Sequence, residues 1–98
     1  MERRAIQELV KKIVGNNPYI LIDDGEESRK ALKIIKNFES KYGLNGYIKV
    51  FKRSMSEPSD YYPVLYASGP FIPCEGVERI EWYFDVYIPH EIEKILKG

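Results

Sequence analysis

Four kinds of side chain in this sequence could do chemistry: a run of carboxylates, one thiol, one imidazole and a group of phenols. The carboxylates gather at Asp23, Asp24, Glu26 and Glu27, with Gly25 inside the run and the Ser28 hydroxyl directly after it. Such oxygens suit a hard cation, Mg²⁺ or Ca²⁺, but the alternating ligand spacing of a calcium loop is missing. Helix capping and solubility account for the charges better, and no metal site is assigned. Ser28 has no base beside it, and a hydroxyl at its free pKa is a poor nucleophile. Its expected place is the start of a helix. Cys74 lies between Pro73 and Glu75. A half-buried structural thiol is expected there, with Glu75 raising its pKa; the rival reading is single-thiol redox chemistry at Cys74. His90, the sole histidine, follows Pro89 and is expected to cap a last helix. Tyr61, Tyr62 and Tyr66 crowd around Pro63. Tyrosine is enriched at interfaces, although the core suits Tyr66 equally. No catalytic constellation and no cofactor is expected.

The elements that must position these groups follow from periodicity. Tyr19, Ile20, Leu21 and Ile22 are an apolar, β-prone run between Pro18 and the acidic turn, the mark of a strand covered on both faces. Asp24 is predicted to N-cap the next helix, with Glu27 completing a capping box. Ala31, Leu32, Ile34, Ile35, Phe38 and Tyr42 fall on one helical face, and Gly43 is the expected C-cap. Upstream, residues 2–14 form an amphipathic helix burying Ala5, Ile6, Leu9, Val10, Ile13 and Val14. Downstream, residues 47–53 read as a second strand, which favours a right-handed parallel crossover. Residues 54–60 are a polar loop broken by Pro58. Residues 64–67 and 71–72 then suggest a hairpin whose second strand is cut short by Pro73. Val77, Ile80, Phe84 and Tyr87 predict a helix that ends at Pro89, with a strand over residues 82–88 as the alternative. A short helix over 90–96 closes the chain.

The 98 residues fit one domain, with 44% hydrophobic content for a core. Fifteen basic residues balance fifteen acidic ones, which argues against nucleic acid as the partner. The remaining routes to nucleic acid are local basic patches, at Arg3, Arg4, Lys11 and Lys12 on the first helix or at Lys52 and Arg53. No apolar run is long enough to span a bilayer, and one cysteine leaves no internal disulfide. A cytoplasmic protein is expected. The abundance of Lys, Glu, Ile and Tyr suits a heat-adapted source.

The order of these pieces resembles the glutaredoxin and thioredoxin-like family. That family places Cys-x-x-Cys between a strand and a helix, often followed by Arg-Lys-Ala. Here Gly25, Glu26, Glu27 and Ser28 precede Arg29, Lys30 and Ala31, so Gly25 and Ser28 stand where the cysteines would be. Tyr62 and Pro63 before Val64, Leu65 and Tyr66 look like the family's cis-proline opening its third strand. Ser68, Gly69, Gly76 and the helix from Val77 are similar to its closing hairpin and last helix. The resemblance covers about residues 19–84 and departs twice: both cysteines are absent, and residues 54–62 are too few for the family's usual intervening helix. It implies a mixed four-stranded sheet with helices on both faces, plus an extra helix at each end. It also implies a redox-inactive domain that binds or assembles protein. The binding surface would be Glu26, Glu27, Asp60, Tyr61, Tyr62 and Pro63, and a homodimer is among the assemblies allowed.

Overall fold

The computed structural model describes residues 2–52, 62–69 and 73–98. The polar loop over 54–60 and the strand residues at 71–72 lie outside the described residues, as do Asp60 and Tyr61. Its elements are α1 (Arg3–Val14), β1 (Tyr19–Ile22), α2 (Glu26–Tyr42), β2 (Lys49–Lys52), β3 (Val64–Tyr66), β4 (Cys74–Glu75), α3 (Val77–Trp82), a π turn (Tyr83–Tyr87) and α4 (Ile88–Lys97). The chain is therefore mixed α/β, with one four-stranded mixed sheet in the order β2-β1-β3-β4. β1 pairs parallel with β2 across α2, as the crossover rule requires. It pairs antiparallel with β3, which pairs antiparallel with β4.

The expected layering needs correction. Ile20 and Ile22 are buried, whereas Tyr19 and Leu21 are half-buried. Ile20 lies opposite Leu65, and Leu65 opposite Cys74, so these side chains share a face. They form one core with Val10 and Val14 of α1, Ala31, Ile35 and Phe38 of α2, and Ile80, Tyr83, Phe84 and Ile88 of the last helical segment. Among the described residues every helix thus packs on one face of the sheet, not on both. The apolar run of β1 reads as two-sided because Tyr19 and Leu21 are apolar too, yet they face away from that core.

Smaller corrections have local causes. Ala5 is exposed on α1. β2 begins at Lys49 because Tyr47 and Ile48 belong to the turn that leads in; the Tyr47 hydroxyl donates to the Gly15 carbonyl. The hairpin's second strand is Cys74–Glu75. Pro89 does not end the last helix. Helical backbone runs from Val77 to Lys97, and the π turn lies just before the proline. There the Ile88 N–H bonds the Tyr83 carbonyl, five residues back. A π turn takes up one extra residue where the proline ring and missing N–H would otherwise break the ladder. His90 is consequently inside α4 and exposed, not a cap. Tyr62–Pro63 is cis, as expected.

The end of α2 follows the sequence closely. Gly43 takes a left-handed conformation (φ 67°), and its N–H and that of Leu44 close on Ser40 and Glu39 carbonyls. This is the Schellman arrangement that glycine favours. From α1, the Gln7 amide donates to the Tyr42 carbonyl at 2.8 Å. Glu39 is buried and accepts the backbone N–H of buried Ile48 at 3.0 Å. One carboxylate thereby ties α2 to the turn that leads into β2. Glu39→Ala leaves the Ile48 N–H without its partner in the interior and is expected to cost about 1–3 kcal/mol. Glu39→Gln keeps an acceptor and should cost clearly less. Chemical denaturation midpoints of the two variants check this.

Candidate functional site

The site is the corner between β1 and α2, flanked by the proline-led end of β3. β3 runs antiparallel to β1, with Leu21 opposite Val64. The start of β3 therefore lies beside the end of β1 that feeds the acidic turn. The Pro63 carbonyl accepts the Gly76 N–H at 2.8 Å, which joins this end of β3 to the start of α3.

Asp23 organises the corner. Its Oδ1 accepts the Gly25 N–H at 2.9 Å and the Ser28 hydroxyl at 2.8 Å. The Asp23 N–H donates back to Ser28 Oγ at 3.1 Å. Ser28 is 1% exposed, so its hydroxyl is spent inside the turn as donor and acceptor. Ser28 is a structural latch. Gly25 is exposed and is the N-cap of α2, with no side-chain cap.

This corrects the predicted capping by Asp24. The Asp24 side chain instead pairs with Lys52 at 2.6 Å, both groups well exposed. Such a pair is worth little in water. Sequence reasoning missed Asp23 as the organising residue, and the signal was present. Aspartate accepting the N–H two residues on is the Asx-turn pattern, and Asp23 precedes Gly25 by that spacing. Glu26 and Glu27 are exposed in the first turn of α2. Their charge suits the helix's positive end and would repel a thiolate or phosphate placed there.

The remaining predicted site residues divide sharply. Tyr62 is half-buried, and Pro63 is buried, so the Pro63 side chain offers no contact surface. Tyr66 lies on the sheet face away from the helices, stacked on Tyr19 with ring centres 4.8 Å apart. Phe51 meets Tyr19 edge-on at 5.8 Å. This aromatic row is not legible along the chain, because its members come from three strands.

Cys74 is 1% exposed, not half-buried as expected. Burial raises its pKa, and Arg79 partly opposes the rise. The expected cause, Glu75, is not the one that acts. A cleft of about 310 Å³ beside it is lined by Cys74, Glu78, Arg79 and Trp82. On α1 the residues Arg3, Arg4, Lys11 and Lys12 are exposed, with Lys11 and Lys12 in the last turn, where cations complement the helix's carbonyl end. Among the described residues no three His, Cys, Asp or Glu side chains gather as a metal site. No helix there is long and apolar enough to cross a membrane. Compared with family models, curated proteins and solved structures, the chain matches none.

Asp23→Ala should destabilise the domain by about 1–3 kcal/mol, since it leaves the buried Ser28 hydroxyl without its acceptor. Asp24→Ala should barely move the denaturation midpoint. Thermal or urea unfolding of the two alanine variants separates the latch from the surface ion pair.

Proposed function

We propose that the chain is a redox-inactive, thioredoxin-like domain that binds a protein partner. The observation that carries this reading is the closed turn. Where a dithiol oxidoreductase of this form would hold its nucleophile, Gly25 has no side chain and Ser28 is locked to Asp23. The sheet order supports the family reading: β1 lies between a parallel β2 and an antiparallel, proline-led β3. The one thiol is buried and its pKa is raised, which lowers the thiolate fraction on which thiol chemistry depends.

What the corner retains is charge and shape. Glu26 and Glu27 are exposed in the first turn of α2, and Tyr62, before β3, is half-buried. A partner here is neutral or basic, and the two glutamates steer its approach more than they hold it.

Reduction of insulin disulfides by dithiothreitol should run no faster with the protein than without it. Turnover that disappears in Cys74→Ser would replace this reading with single-thiol redox chemistry. Affinity capture from the native host, with mass spectrometry, identifies the partner. Against that partner the Glu26→Gln, Glu27→Gln double variant should associate more slowly and with a flatter salt dependence.

A further inference from the structure

Strand β2 exposes apolar surface that one more strand would cover. All four residues, Lys49, Val50, Phe51 and Lys52, are exposed, with Val50 at 48% and Phe51 at 52%. β2 ends the sheet order, with β1 as its neighbour. The register sets Lys49 and Phe51 beside Tyr19 and Leu21 on the face away from the helices. It sets Val50 and Lys52 beside Ile20 and Ile22 on the helical face. The two exposed apolar side chains therefore lie on opposite faces of one edge strand. An element docked on either face would cover one of them, whereas a strand added to the sheet would flank both. The backbone is arranged for this. The Lys49 N–H points inward, to the Pro18 carbonyl at 3.0 Å. By alternation the N–H and C=O groups of Val50 and Lys52 point outward, and among the described residues no further strand meets them.

We propose that β2 accepts an extended segment of a partner protein as a fifth strand, in which acidic residues flank an aromatic–aliphatic pair. The charges select this occupant. In matched antiparallel register a second copy of β2 would set Lys49 against Lys52, and like charges directly opposite are destabilising. Lysines on an edge strand guard against self-pairing for this reason. The same lysines attract carboxylates. Opposite Lys52, Phe51, Val50 and Lys49 in turn, the incoming strand reads acidic, aromatic, aliphatic, acidic. Its aromatic ring extends the edge-on pair of Phe51 and Tyr19. Lys52 already holds Asp24, so Lys49 carries the larger share of the charge selection. The inference rests on the reading of the chain as a protein-binding domain, but it uses a surface separate from Glu26 and Glu27.

The test is fluorescence anisotropy of a labelled, end-blocked peptide with Glu-Phe-Val-Glu between Gly-Ser flanks, titrated with the full chain. Saturable binding is expected. It should weaken by about tenfold or more for a Lys-Phe-Val-Lys peptide, and again for the Phe51→Lys and Val50→Lys variants. Circular dichroism should show both variants folded, since both positions are exposed. A peptide N-methylated at alternate amides should lose binding altogether. No binding of the acidic peptide at about 1 mM protein, or equal binding of the basic one, overturns the proposal. So does a concentration-dependent dimer in sedimentation velocity that Val50→Lys abolishes, because the edge would then belong to a second copy. If the peptide fails while capture of a partner still depends on Glu26 and Glu27, this inference falls and the binding reading stands.

Discussion

One carboxylate holds the corner on which the chain is built. Asp23 takes the N–H of Gly25 and the hydroxyl of Ser28, and so fixes how α2 leaves β1. That geometry places Ala31, Ile35 and Phe38 against the sheet. It also occupies the Ser28 hydroxyl as donor and acceptor. A hydroxyl that is 1% exposed and bonded in both directions cannot attack anything.

A second junction closes the opposite end of β1. Ser68 donates its N–H to the Val14 carbonyl at 2.7 Å, and its own carbonyl accepts the Tyr83 hydroxyl at 2.5 Å. α1, the β3–β4 connection and the last helical segment meet there. Gly69 has to be a glycine because a Cβ would come within 2.9 Å of the Tyr83 ring. Tyr83 is fully buried, and burial pushes its phenol well above the ordinary range, so it stays a hydrogen-bond donor at any physiological pH. The π turn that begins at Tyr83 keeps this ring in the core while the helix continues through Pro89.

The proposed binding role draws on exposed surface. The helical face of the sheet is filled. The other face carries the aromatic row of Phe51, Tyr19 and Tyr66, both apolar side chains of β2 are exposed, and among the described residues no strand pairs with its outer edge. Aromatic and aliphatic groups rimmed by charge are the usual composition of a protein contact.

Local signals in the sequence were sufficient wherever neighbours along the chain decide the outcome. The apolar spacing of α2, the left-handed Gly43 that ends it and the parallel crossover from β1 to β2 all follow from short-range sterics and chain handedness. The absence of a dithiol was equally plain, since the sequence has one cysteine. Tertiary structure alone decided the rest. Asp23 and Asp24 are equally good caps as residues, and packing gives the latch to one and Lys52 to the other. The apolar run at β1 does not say how many of its faces are covered, because burial depends on where α1 and α4 come to rest. Pro89 is a helix breaker by its chemistry, yet a π turn just before it keeps Tyr83 and Ile88 in one core. The aromatic row and the open edge of β2 exist only through strand register, which brings together residues far apart in the chain.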